Sequence, residues 1–141
     1  MRHHIGTDII EIERVRRTVE RFGDRFLRRV YTETELNIYG HRAHTLAASF
    51  ASKEAVMKVL GTGARGVGWR DIETLFQPSG KPHVRLDGRA EVQARKLGIK
   101  EIDVSMSHCK EYAVATAIGA VQENHRLKIK CQKHKLKRTN V

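Results

Sequence analysis

Apolar and polar positions along the chain alternate, then step by three and four, then alternate again, and this rhythm predicts the elements. Residues 4–10 read as a short strand, with Gly6 inside it and Asp8 beside Ile9 and Ile10. Over residues 12–30, Ile12, Val15, Val19, Phe22, Phe26 and Val30 recur every three or four positions, which is one face of a helix. Gly23 is the place where that helix would break in two. Thr32 followed by Glu35 has the form of a capping box, so a short helix should run to about Tyr39 and stop at Gly40. Residues 41–60 predict a third helix. Leu46, Phe50, Met57 and Leu60 would point inward, and Ala43, Ala47, Ala48, Ala51 and Ala55 would allow close packing. Gly61 sits where a helix C-cap favours a left-handed residue.

After a glycine-rich link at 64–68, residues 69–77 read as a strand, 78–82 as a turn and 83–86 as the returning strand of a hairpin. Residues 89–97 predict a helix stopped by Gly98. Ile102, Val104 and Met106 alternate with Asp103, Ser105 and Ser107, a half-buried strand. Residues 112–121 are nearly all apolar or small and should form a central strand. Strand, helices, hairpin, helix and hairpin in that order predict an α+β fold, an antiparallel sheet with helices packed on one side.

The length of 141 residues fits one domain, assigned to residues 1–121, with residues 122–141 as a basic, flexible tail. The net charge of +11 divides unevenly. The last twenty residues hold seven Lys/Arg and one acid; the remaining twenty basic and fifteen acidic groups leave only +5 for the domain. Charge alone is therefore a weak argument for nucleic acid. Aromatics are only 6%, few for base stacking, and no helix-turn-helix or zinc pattern is present. No apolar run approaches the length of a membrane span, and the N-terminus lacks the apolar core of a secretory leader. Cys109 and Cys131 form no CxxC pair, so the expected setting is a reducing cytoplasm.

Three segments hold the candidate chemistry. Asp8 is either a cap for the following helix or a carboxylate at the end of a buried strand, placed to hold a cation. Glu54 and Lys58 are four apart and share a helix face, which suits a mutual ion pair. Two carboxylates also suit Mg²⁺, which keeps several waters and takes phosphate oxygens from a substrate. Lys58 could then neutralise a phosphate, and Gly61, Thr62 and Gly63 offer backbone N–H groups beside it. Ser107 and His108 add donors at the mouth of the last hairpin. Arg14, Arg17, Arg21, Arg25 and Arg28 form a second stripe along residues 12–30. It is either a solvated face or a dock for an acidic partner, since the guanidinium fork pairs with carboxylates. Together these features point to metal-assisted transfer of a phosphate-bearing group.

The same residues resemble a known family, the holo-acyl-carrier-protein synthases, small 4′-phosphopantetheinyl transferases of fatty acid synthesis. Ile5-Gly6-Thr7-Asp8-Ile9 is similar to the family's I-G-x-D-I. Phe50-Ala51-Ser52-Lys53-Glu54-Ala55 through Lys58 and Gly61-Thr62-Gly63 is similar to F-A-x-K-E-A-x-x-K and G-T-G. Val104-Ser105-Met106-Ser107-His108, followed by Glu111-Tyr112-Ala113, is similar to V-S-x-S/T-H and x-E-Y-A; Ser79-Gly80-Lys81-Pro82 fits N-G-K-P. The resemblance implies transfer of phosphopantetheine from coenzyme A to a serine of apo-acyl carrier protein, with release of adenosine 3′,5′-bisphosphate. It implies Asp8 and Glu54 as Mg²⁺ ligands and Lys58 against the attacked phosphate. Gly61, Thr62, Gly63, Lys81, Ser107 and His108 would line the coenzyme, and the arginine stripe would dock the carrier protein. It further implies a homotrimer with each active site between two subunits. Ser49 stands where many relatives have an arginine, whose phosphate contact is either lost or supplied by Arg42 or His44. The neighbouring possibilities are a related transferase serving polyketide or peptide carriers, and a basic nucleic-acid-binding module.

Overall fold

The computed structural model describes residues 1–122. Its elements are β1 (Arg2–Glu11), α1 (Ile12–Phe22), α2 (Asp24–Val30), α3 (Glu33–Tyr39), α4 (Ala43–Leu60), α5 (Gly63–Gly66), β2 (Ile72–Phe76), β3 (Pro82–Leu86), α6 (Gly88–Leu97), β4 (Ile99–His108) and β5 (Tyr112–Val121). Apart from Gln122, the basic tail expected beyond residue 121 lies outside the described residues.

The α+β expectation holds. A three-stranded antiparallel sheet has the order β1-β5-β4, with β5 in the centre. The inward positions of β5 are Ala113, Ala115, Ala117 and Gly119, so small that α4 lies directly on the sheet. Helix α4 is buried on several sides, with Leu46, Ala47, Ala51, Ala55, Val56, Val59 and Leu60 all in the core. Its alanines are what allow this, since larger residues would hold the sheet away. Among the described residues nothing covers the opposite face of the sheet: Ile5 and Ile9 are 65% and 63% exposed, and Ile118 pairs with Ile5.

Gly23, with φ +53°, ends α1 and divides the apolar stripe over 12–30 between two helices, as expected. The structure departs from the sequence pattern elsewhere. Phe22, expected inward, is exposed, and Leu27 is buried on α2 instead. The strand expected from residue 69 begins at Ile72, because Trp69–Asp71 form a 3₁₀ turn in which the Asp71 carboxylate accepts from Gly68 N at 3.0 Å. The glycine-rich link contains the short helix α5. The middle hairpin, β2 and β3, forms its own two-stranded sheet.

The capping box forms as expected. Thr32 Oγ1 accepts from Glu35 N at 3.2 Å, and Glu35 Oε1 accepts from Thr32 N at 2.9 Å. Glu35 does more than cap. It is fully buried, as is Lys53, whose Nζ donates to Glu35 Oε1 at 2.7 Å. Glu35 Oε2 accepts from Thr74 N at 2.9 Å and from Tyr39 Oη at 3.2 Å. Lys53 also donates to the carbonyls of Trp69 and Ile72. Burial lowers the Lys53 pKa against the opposing pull of Glu35. Burial, and then the Glu35 charge, raises the pKa of the Tyr31 and Tyr39 hydroxyls. A buried carboxylate with this many donors is satisfied, and removing one partner would strand the other charge.

Candidate active site

Gly6 sets the approach of β1 to α4. A Cβ there would lie 2.0 Å from the carbonyl oxygen of Ala55, so only glycine fits. Its neighbour on the same strand face, Asp8, is thereby brought beside Glu54 and Lys58 on α4. The Asp8 side chain is 13% exposed, and its Oδ1 is 3.6 Å from Lys58 Nζ. The Glu54–Lys58 spacing predicts a mutual pair, but the ammonium turns to β1, donating to Thr7 O at 2.6 Å. Glu54 instead lines the same cleft as Asp8. Its pKa is pushed up to about 7 by burial first, then by the neighbouring Asp8 carboxyl, while Lys58 and Arg14 oppose the shift.

Two adjacent carboxylates, one of which resists ionisation beside the other, form an oxygen-donor pair that a divalent cation would relieve. Among the described residues no group of three or more His, Cys, Asp or Glu is placed to hold a metal. The donor set thus fits an ion that keeps waters and takes further ligands from substrate phosphates, as Mg²⁺ does.

Phe50, Glu54 and Lys58 recur every four residues along one face of α4. Asp8, Arg14, Thr18, Phe26, Phe50 and Glu54 line a cleft of about 360 Å³ that opens beside the carboxylates. Of the arginine stripe, Arg14 reaches this cleft. Arg17 is 3.6 Å from Glu13, and Arg21 lies over the Phe22 ring at 5.1 Å. Arg25 and Arg28 are exposed on α2, so the stripe bends at Gly23 rather than following one helix.

Gly61 closes α4 with φ +72°, and Gly63 has φ +59°. Thr62 Oγ1 between them is buried without a hydrogen-bond partner among the described residues. This loop is three residues past Lys58 and belongs to the same end of α4. Other predicted residues are elsewhere. Lys81, in the β2–β3 turn, lines a separate groove with Arg85, Arg95 and Ile102. His108, after Ser107 at the end of β4, stacks on His44 with ring centroids 5.0 Å apart. His44 is in the first turn of α4 and Gly61 at its end, roughly 25 Å away at 1.5 Å per residue. The His108–His44 stack therefore lies at the opposite end of α4 from Gly61–Gly63, and Lys81 lines a groove apart from Asp8 and Glu54.

Ser49 is 1% exposed and donates to Glu35 Oε2 at 3.4 Å, so it faces the buried network rather than the cleft. Arg42 does not replace an arginine there: its guanidinium donates to Ile38 O and Tyr39 O at 2.9 and 3.0 Å, capping α3. The pattern missed Phe26 and Phe50 as cleft walls, and the one available signal was Phe50 standing four residues before Glu54.

The model of the 4′-phosphopantetheinyl transferase superfamily matches residues 4–117. A holo-[acyl-carrier-protein] synthase of Gloeobacter violaceus is 51% identical over 118 residues, covering 81% of this chain and 89% of that protein. The crystal structure of the synthase of that name from Neisseria meningitidis aligns with TM-score 0.77 at 33% identity, covering 83% of this chain and 97% of the other. The one from Helicobacter pylori, in complex with coenzyme A, aligns with TM-score 0.76 at 28% identity, covering 82% and 99%. With the paired carboxylates on β1 and α4 standing in the matched region, the chain belongs to the 4′-phosphopantetheinyl transferase superfamily, among the holo-[acyl-carrier-protein] synthases.

Proposed function

We propose that this protein transfers 4′-phosphopantetheine from coenzyme A to a serine of apo-acyl carrier protein in fatty acid synthesis, with Asp8 and Glu54 as Mg²⁺ ligands. The observation that carries the site assignment is that Asp8, 3.6 Å from the Lys58 ammonium, shares one cleft with Glu54. When bound, the ion supplies positive charge to the pyrophosphate oxygens. Lys58, more than half exposed, reaches the same place and offsets charge on the phosphate under attack. The serine oxygen forms a bond to the β-phosphorus, and the bond to the bridging oxygen breaks. Adenosine 3′,5′-bisphosphate leaves, and the serine proton passes to a base.

Gly61, Thr62 and Gly63 adjoin Lys58 and would line the pyrophosphate with their backbone N–H groups. Arg14 in the cleft, with Arg17, Arg21, Arg25 and Arg28 along α1 and α2, would dock an acidic carrier helix. Lys81, Ser107 and His108 would complete the coenzyme site from a neighbouring copy; the reading is supported by the His108–His44 stack lying at the other end of α4 from Gly61–Gly63 and by Lys81 lining a separate groove. The uncovered sheet face with Ile5, Ile9 and Ile118 supports such an assembly, a homotrimer as the family resemblance implies. Among the described residues no helix is long and apolar enough to cross a membrane. A cytoplasmic setting suits coenzyme A and the exposed Cys109, which has no disulfide partner among the described residues.

The site assignment is tested with Asp8→Ala and Glu54→Ala. Each should keep the fold, lose transfer and lose the Mg²⁺-induced rise in melting temperature. Retention of both properties in either variant would remove that residue from the ligand set.

A further inference from the structure

Lys53 and Glu35 lie outside the cleft, yet their ion pair governs one of its walls. Lys53 is the residue before Glu54, but it points the other way, into the core. Its ammonium meets Glu35 at 2.7 Å and the Trp69 carbonyl at 3.3 Å, and it also bonds the Ile72 carbonyl. Neither charged side chain is exposed at all. Trp69 is thus clamped by its backbone at the turn that precedes β2. Its ring stacks on Phe50, centroids 4.8 Å apart and planes 24° from parallel. Phe50 in turn lines the cleft four residues before Glu54, on the side that Arg14 also faces.

A core of this size does not need a buried ion pair for stability, because well-packed apolar residues of similar volume do as well or better. What apolar residues cannot do is hold two specific carbonyls at fixed distance. We infer that Lys53 and Glu35 are positioning residues for the acceptor side of the cleft: through Trp69 they fix Phe50, the wall along which the carrier's serine approaches Glu54. This rests on the proposed transferase reading. The coenzyme side, formed by Lys58 and Gly61–Gly63, does not touch this chain of contacts, so the pair should affect the two substrates unequally.

The test uses the double variant Glu35→Gln/Lys53→Met, which removes both charges together and leaves none stranded. Trp69 is the only tryptophan in the sequence, so its fluorescence reports on the wall without any transfer assay. The variant should melt within a few degrees of wild type and show a red-shifted Trp69 emission with greater access to a neutral quencher. With wild type loading the same carrier, kcat/KM for the carrier should fall roughly 10- to 100-fold, the scale of a small misplacement of reacting groups. KM for coenzyme A should not change. Trp69→Ala, which spares the ion pair, should give the same split between substrates, and Trp69→Phe should restore it. If the double variant does not fold, the two Trp69 variants decide the outcome. Unchanged Trp69 emission in a folded double variant, or wild-type carrier kinetics in Trp69→Ala, would overturn the inference. Failure of wild type to load any carrier would strike the transferase reading instead, and the fluorescence comparison would still decide this one.

Discussion

Replacing Gly6 by alanine adds a single methyl group, yet it acts on the contact that brings the two carboxylates together. The added carbon would stand 2.0 Å from Ala55 O, 2.9 Å from Ala55 C and 2.9 Å from Lys58 Cβ. Non-bonded carbon contacts are comfortable near 3.5 Å, so β1 and α4 must separate by more than about 1 Å. Two of these atoms are helix backbone, which cannot swing aside as a side-chain tip would. Overpacking of this kind costs about 1–3 kcal/mol. For a domain of this size that is a loss of roughly 5 to 15 °C in melting temperature. The separation also carries Asp8 away from Glu54, and a misplacement near 1 Å costs on the order of 100-fold in rate. Gly119→Ala is the matched control. The three atoms nearest its Cβ would be side-chain carbons of Ile99 and Val59 at 3.1–3.2 Å, which can yield by tenths of an ångström. Thermal melts followed by circular dichroism and initial rates of carrier loading measure both effects. If Gly6→Ala melts and transfers like Gly119→Ala, the close strand–helix approach does not set the site.

The acidity of Glu54 gives a pH prediction with a definite sign. Its folded pKa of about 7 lies above the ordinary 4.5, so the folded state holds the proton longer than the unfolded state. Without a divalent cation, stability should therefore fall as pH rises from about 4.5 to 7, and Glu54→Gln should remove that slope. Mg²⁺ affinity, measured by calorimetry, should increase as pH rises through 7; a flat profile would contradict the raised Glu54 pKa. Reversing charge at Arg14, Arg21 and Arg28 should raise KM for the carrier and leave KM for coenzyme A unchanged, and equal changes in both would exclude carrier docking on α1 and α2. Ile5→Asp/Ile9→Asp on the uncovered sheet face should shift sedimentation to a monomer and abolish transfer, whereas an unchanged oligomer would show that this face is not the interface.

Most of the fold was legible because its elements are local. The capping box at Thr32 and Glu35, the glycine stops at 40, 61 and 98, and the alternation before Ser107 each act within a few residues of themselves. What could not be read depends on distant partners. Nothing near Glu35 in sequence shows that its carboxylate will also bind Lys53 and Thr74 N. Trp69 leaves the strand pattern because its ring belongs on Phe50. The candidate site divided in the same way. Asp8 and Glu54 were legible as chemistry. The turn of Lys58 towards Thr7 O was not, because helical spacing describes neighbours on one helix and says nothing of the strand packed against it. The placement of His108 against His44 likewise depends on where β4 ends over α4.

The most direct test is the mass spectrum of an apo-acyl carrier protein after incubation with this protein, coenzyme A and Mg²⁺. The carrier should gain one phosphopantetheine on its serine with wild type, and none with Asp8→Ala or when Mg²⁺ is chelated. A carrier that another synthase can load, yet whose mass stays unchanged here, would contradict the assigned activity. Full loading by Asp8→Ala would contradict the role given to the paired carboxylates.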